Sequence, residues 1–281
     1  MHPFEILGIG GDDLILIVPA HVALQLACDI AGGVEERLLK PDATFAYPQE
    51  SGGGQAYDWP EVQRCRGAAP ARQCKVNLSA GVVIADAHTP IFYLEQLAGQ
   101  LLSSAKRRAK LLRQGRGYFG GTLDFISLKS VTTLSGTVEQ FRRSALTDGD
   151  SRRGERERHR YARPYTLAEA RALVETVEIL KRVDFPRGHL YRLNESLQAS
   201  EIPSTVDYRY FLSRDDKLAA ARKRIEEIWP PTGAEPQASP WRERLRPRGE
   251  SGQDGALETI WPDVVELYDF VPDGEEEYAG D

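Results

Sequence analysis

The sequence predicts an α+β protein, with helices on one face of a mainly antiparallel sheet and a small helical domain after it. Three observations carry this. Two short apolar runs flank a glycine-rich turn near the start of the chain. Two helical patterns then alternate with two strand patterns as far as residue 128. Beyond residue 163 apolar residues recur mainly at helical spacing.

Glu5-Ile-Leu-Gly-Ile9 and Leu14-Ile-Leu-Ile-Val18 are nearly continuous apolar runs rich in β-branched residues. Phe4 to Val18 therefore reads as a buried β-hairpin, with Gly10 and Gly11 supplying the positive φ of its tight turn. Pro19 ends the second strand. Ala20 to Leu39 is predicted helical, because Val22, Ala23, Leu26, Ala27, Ile30 and Val34 recur at three- and four-residue spacing. The insert at 41–74 contains Ser51-Gly52-Gly53-Gly54 and several prolines, which reads as a long surface loop. Val76 to Ala85 alternates as a strand does, placing Val76, Leu78, Ala80, Val82 and Ile84 on one face. Pro90 opens a helix to about Gln114, with Leu94, Leu97, Ala98, Leu101, Leu102, Ala105 and Leu112 as its stripe and Gly115 and Gly117 at its end. Leu123 to Leu128 is the next strand.

These elements make residues 1–146 a partial sheet domain. Residues 147–163 read as a charged linker, 164–271 as a helical domain and 272–281 as an acidic tail. In the helical part Thr166-Leu-Ala-Glu169 is a capping box opening a helix to about Val183. Pro186 to Leu197 and Val206 to Trp229 read as further helices. After a Pro/Gly/Arg-rich loop, Ala256 to Phe270 is predicted to be a last helix docking on the bundle.

Composition narrows the function by exclusion. The chain has 281 residues, 41% hydrophobic and 28% charged, which is ordinary for a globular protein. No apolar run approaches the ~20 residues of a membrane span, and Met1-His2-Pro3 begins no signal-peptide pattern. The net charge of −6 gives no bulk attraction to nucleic acid. Three cysteines, Cys28, Cys65 and Cys74, argue against a disulfide framework and fit a reducing cytosol. Cys65 and Cys74 could pair or share a metal, but no second close pair completes a zinc site, and plain thiols are the better reading. A cytoplasmic location is expected. The basic stretch from Arg152 to Arg163 has Tyr161 as its one aromatic, a poor surface for base stacking. It reads as a solvated linker, His159 included. His88, after Asp86, reads as a loop histidine. No His-Asp pair of a metal-dependent phosphohydrolase is present.

The chemistry concentrates at Gly10-Gly11-Asp12-Asp13. Two adjacent carboxylates repel each other unless a cation sits between them. Magnesium takes one or two carboxylates and completes its shell with phosphate oxygens and water. The preceding glycines leave room for phosphates to reach the backbone. Asp12 and Asp13 are thus the candidate metal-binding and catalytic pair for magnesium or manganese, and Gly10 and Gly11 the candidate phosphate contacts. A plain Gly-Asp turn is the competing reading. Lys106 and Lys110, at i and i+4 on one helix face, could join Arg107 and Arg108 in binding a triphosphate. Basic residues near a helix C-terminus also simply favour its dipole, and both readings stay open. Ser79 could contact a nucleotide from the sheet, although a small residue under a helix is the better reading.

Leu7-Gly-Ile-Gly-Gly-Asp-Asp-Leu-Ile-Leu-Ile-Val-Pro19 resembles the nucleotide-binding hairpin in the second palm domain of the large (polymerase/cyclase) subunit of type III CRISPR effector complexes. Leu78-Ser-Ala-Gly-Val-Val-Ile-Ala-Asp-Ala-His-Thr-Pro-Ile91 is similar to the next strand and helix start of that domain, and Leu102-Ser-Ser-Ala-Lys-Arg-Arg-Ala-Lys110 to its Ser-Ala-Lys helix. The blocks occur in the family's order and cover Phe4 to about Val131. Phe185-Pro-Arg-Gly-His-Leu-Tyr-Arg-Leu193 resembles the small helical domain that follows. Diguanylate cyclases of the GGDEF type share the palm architecture but resemble the two later blocks less.

The resemblance implies a palm-type (ferredoxin-like, nucleotidyl cyclase) sheet lacking its first strand. It also implies a role in antiviral defence, in which target RNA bound by the complex switches on conversion of ATP to cyclic oligoadenylates. Asp12 and Asp13 match the metal-binding pair, Gly10 and Gly11 the turn beside the phosphates, and Lys106 a phosphate-contacting lysine. The implied partners are the other effector subunits with their guide RNA. The family's domain begins one strand and one or more helices earlier, and that strand carries another metal-contacting acid. Catalysis is therefore expected to need an upstream segment or a separate chain. The alternatives are a non-catalytic nucleotide-binding regulatory or scaffold module, and a truncated gene remnant.

Overall fold

The computed structural model describes residues 4–38, 63–66, 77–116, 118, 120–128, 136–149, 156–230, 238–244 and 255–272. The acidic tail, Cys74 and most of the 41–74 insert lie outside the described residues. The architecture is α+β. It opens with β1 (Glu5–Gly10) and β2 (Asp13–Ile17), followed by α1 (Ala20–Leu38). Next come β3 (Ser79–Ile84), α2 (Ile91–Arg116) and β4 (Thr122–Ser127). All lie close to their predicted positions.

The pairing differs from expectation. β3 and β4 run parallel, from Ser79 opposite Thr122 to Ile84 opposite Ser127. α2 returns the chain to the end of the sheet from which β3 set out, so the second strand repeats the direction of the first. A short strand, β7 (Tyr165–Thr166), adds antiparallel to the far side of β4, giving the order β3-β4-β7. Helices also cover both faces, not one. Val83 and Ile126 pack with Leu97 and Leu101 of α2. Ala80, Val82 and Ile84 face the opposite way, into a core shared with Leu24 and Cys28 of α1 and with Leu173, Val177 and Leu180. The period-two alternation therefore assigns the β3 faces correctly. Gly81 lies directly beneath α2, where a Cβ would stand 2.4 Å from the Ala98 carbonyl oxygen and 2.6 Å from the Leu102 amide nitrogen.

The capping box of α4 (Leu167–Arg182) forms as predicted. Thr166 Oγ1 accepts from the Glu169 N–H at 3.2 Å and the Glu169 carboxylate accepts from the Thr166 N–H at 2.8 Å. α5 (Arg187–Ala199) follows. The single helix predicted over 206–229 is two, α6 (Glu201–Phe211) and α7 (Asp216–Ile228). The break falls where the Asp215 carboxylate accepts from the Leu218 N–H at 2.9 Å and caps the second helix. The predicted last helix is shorter, α8 (Trp261–Leu267). An unpredicted helix, α3 (Val138–Ala145), carries its own capping box from Thr137 and Gln140.

The described part of 147–163 is not a solvated linker. β5 (Thr147–Asp148), β6 (Arg158–His159), β8 (Arg242–Glu243) and β9 (Leu257–Glu258) form a four-stranded sheet in the order β5-β6-β9-β8. Arg163 is buried, with Asp263 at 3.0 Å and Glu266 at 2.8 Å. In the insert, Arg64 is buried between Glu169 and Glu258, the latter at 2.6 Å, so this short stretch is core and not surface loop. Buried pairs of this kind cost desolvation but make loss of one partner expensive. They join the sheet segment to the helical segment around one hydrophobic core.

Candidate functional site

β1 and β2 pair antiparallel with Gly10 opposite Asp13, leaving Gly11 and Asp12 as a two-residue loop. Gly11 has φ 63°, the left-handed value that the first residue of such a loop needs and that glycine adopts without a Cβ penalty. Gly10 does not share it, contrary to expectation, and nothing lies within 4 Å of where its Cβ would stand. The turn requires glycine at 11 and not at 10. A register shift between Ile6 and Gly8 bulges β1.

Asp12 and Asp13 are both exposed, and neither carboxylate makes a hydrogen bond or ion pair among the described residues. Two free neighbouring carboxylates suit a divalent cation. Among the described residues no group of three or more His, Cys, Asp or Glu side chains could hold a metal. A cation at the tip would therefore draw its remaining ligands from phosphate, water or another segment.

The hairpin is not buried. Ile9 is 71% exposed, and Ile6, Leu7, Leu14, Ile15 and Ile17 are also exposed. The expectation fails because β1 and β2 form a sheet of their own, with no further strand paired to either outer edge among the described residues. Two strands alone cannot bury both faces, and open edges invite another strand.

No protein-family model matches the chain, and no curated protein matches it. The chemistry must be read from the residues themselves.

α1 fixes the base of the hairpin, following β2 after Val18 and Pro19. Its Glu35 carboxylate accepts from the Gly121 N–H at 2.6 Å at the entrance to β4. Burial raises the Glu35 carboxyl above its usual range against the opposing pull of that bond and of Arg171. Arg171 also donates to the Cys28 carbonyl, tying α4 to α1.

Lys106 and Lys110 are exposed on α2, without a hydrogen bond or ion pair among the described residues. The predicted cationic cluster is smaller than expected, since Arg107 pairs with Glu139 at 3.0 Å and Arg108 is buried. Nothing among the described residues bonds the tip to Lys106 or Lys110. Ser79 is a packing residue under α2. The Thr122 hydroxyl spends its proton on the Ala105 carbonyl at 2.9 Å, so Ser79 Oγ donates to Thr122 Oγ1 at 3.1 Å. His88 is exposed in a turn, its N–H donating to Asp86. His159 is buried, not solvated, with Glu157 at 3.3 Å and Thr147 at 3.3 Å. Cys28 and Cys65 are free, buried thiols. Burial pushes Cys28 up to about 12 and raises Cys65 as well, so neither offers a thiolate near neutral pH. No helix among the described residues is long and apolar enough to cross a membrane.

Proposed function

We propose that this chain is the nucleotide- and metal-binding palm portion of a type III CRISPR effector large subunit, converting ATP to cyclic oligoadenylates in antiviral defence when an upstream segment or partner chain completes the site. The observation that carries the reading is the tip itself: two exposed, unpartnered, adjacent carboxylates beside a glycine, Gly10, that the fold does not require. Asp12 and Asp13 hold the cation, and Gly10 and Gly11 let phosphates lie against the turn. Lys106 and Lys110 offer uncommitted charges on α2. A magnesium or manganese ion, when bound, supplies Lewis-acid activation of an attacking 3′-hydroxyl and charge neutralisation for the leaving pyrophosphate. The two open hairpin edges and their exposed apolar side chains support completion by an added strand. The palm-type sheet, the effector partners with their guide RNA, and the cytoplasmic setting belong to the same proposal.

Gly10→Ala tests it directly. With ordinary φ and open space, stability is expected to stay within about 0.5 kcal/mol of wild type. Magnesium-ATP affinity is expected to fall about tenfold, because a methyl group would block close phosphate approach. A melt and a calorimetric titration on the same variant check both halves; unchanged affinity removes Gly10 from the phosphate site.

A second reading is a module that binds nucleotide without turnover. It is favoured by the absence of a third metal-ligating side chain at the tip among the described residues. It predicts equal ATP binding and no product even when the partners are present.

A further inference from the structure

We propose that the nucleoside of the bound nucleotide lies on one face of the β1–β2 hairpin, with Gly8 as a substrate contact beyond Gly10 and Gly11. The inference rests on the reading of the tip as a magnesium-triphosphate site and places the part of the ligand which that reading leaves out. The strand register sorts the side chains. Residues opposite each other in an antiparallel pair point to the same face, and neighbours along a strand alternate. Gly10 opposite Asp13, Gly8 opposite Ile15 and Glu5 opposite Ile17 therefore share one face. Ile9 opposite Leu14 and Ile6 opposite Leu16 share the other. The second face is aliphatic at every paired position, which suits a covering protein segment and offers a flat ligand no floor. The first face is bare backbone at Gly8 and Gly10, bordered by the exposed side chains of Ile15 and Ile17 and ending at Asp13.

The fold does not ask for glycine at position 8. Gly8 does not have a positive φ, and nothing among the described residues lies within 4 Å of where its Cβ would stand. The bulge does not explain it either. The extra residue there is Leu7, and a bulge demands glycine only where φ is positive. Glycine inside a strand gives up packing and costs conformational entropy, so one that neither a turn nor crowding requires marks close approach by a ligand or another backbone. A further strand would join the hairpin at an open edge, in the plane of the sheet, and a helix would cover the aliphatic face. That leaves the glycine face to a ligand.

The spacing fits a nucleotide. Two strand residues rise ~3.4 Å each, so the Gly8–Ile15 rung lies about 7 Å behind the Gly10–Asp13 rung. A nucleotide whose phosphates sit at Gly10 and Asp13 carries its ribose and base back over that distance. The base then rests on the peptide planes at Gly8, with the Ile15 side chain against its edge. The contact is apolar and depends on shape, so it recognises a nucleoside and gives nothing to a bare polyphosphate.

Calorimetric titration of the full chain with magnesium-ATP and with magnesium-tripolyphosphate, which has no nucleoside, is the test. Gly8→Val is expected to weaken ATP binding about tenfold or more and to leave tripolyphosphate affinity within about twofold of wild type. It is expected to melt at or above the wild-type temperature, because valine favours a strand and packs across from Ile15. Gly8→Ala is expected to show the same selective loss at smaller size. Ile9→Ala, on the other face, is expected to bind both ligands as wild type does. Unchanged ATP affinity in Gly8→Val, with wild type binding ATP, overturns this inference and leaves the reading of the tip standing. An equal loss of tripolyphosphate in Gly8→Val, or a similar loss of ATP in Ile9→Ala, also overturns it, since the effect would then belong neither to the nucleoside nor to one face. A wild type that binds neither ligand overturns the reading of the tip, and this inference with it.

Discussion

Replacing Asp12 and Asp13 together by alanine is expected to lower magnesium-ATP affinity by about 100-fold or more while leaving stability within about 0.5 kcal/mol of wild type. The two halves of this expectation have one cause. Both side chains are exposed and neither has a partner among the described residues, so folding gains nothing from them. Removing two like charges from one turn relieves a small repulsion. Cation binding, in contrast, rests on these two carboxylates, because no third metal-ligating side chain stands with them among the described residues. Calorimetric titration of magnesium-ATP into wild type and variant is the check. Identical heats would remove the hairpin from nucleotide binding, and a large loss of stability would show the aspartates to be structural.

Gly81→Val is expected to act in the opposite sense, destabilising the fold by about 3 kcal/mol with no direct contact to the tip. The atoms a Cβ would meet are backbone, the Ala98 carbonyl oxygen at 2.4 Å and the Leu102 amide nitrogen at 2.6 Å, and they cannot swing aside as a side-chain end can. α2 would have to lift from β3. That opens the packing of Leu97 and Leu101 on Val83 and Ile126 and displaces the helix that carries Lys106 and Lys110. Gly81→Ala should show the same effect at smaller size, since its added methyl meets the same atoms. Urea midpoints measure both. A shift of under about 0.5 kcal/mol for the valine variant would contradict the close approach of α2 to β3.

What was legible in the sequence was local. The Thr166 capping box and the faces of β3 depend on residues a few positions apart, and each forms as read, while the hairpin forms with its turn narrowed to Gly11 and Asp12. What was not legible depended on distant partners. Nothing near His159 signals burial, because its surroundings come from β5 and from the sheet completed by Leu257 and Glu258. Arg64 looked like loop because its carboxylate partners, Glu169 and Glu258, lie far along the chain. The parallel pairing of β3 with β4 and the helices on both faces are likewise products of packing, not of periodicity. The division of the 206–229 helix turned on Asp215, a capping residue inside an otherwise continuous pattern. At the candidate site the aspartates were identifiable from the tip motif alone. The separate needs of Gly10 and Gly11 required the backbone angles, and the exposure of the hairpin required knowing which strands pair. A buried hairpin was inferred from apolar content, which states what a strand can bury and not what covers it.

The most direct test of the central reading assembles the chain with the other effector subunits, including the chain or segment that supplies the further strand, together with guide RNA, cognate target RNA, ATP and magnesium. The products are then separated by mass. Cyclic oligoadenylates that require magnesium and target RNA, and that vanish with Asp12→Ala/Asp13→Ala, are the predicted result. An assembly that binds its target RNA yet leaves ATP unconverted would contradict it.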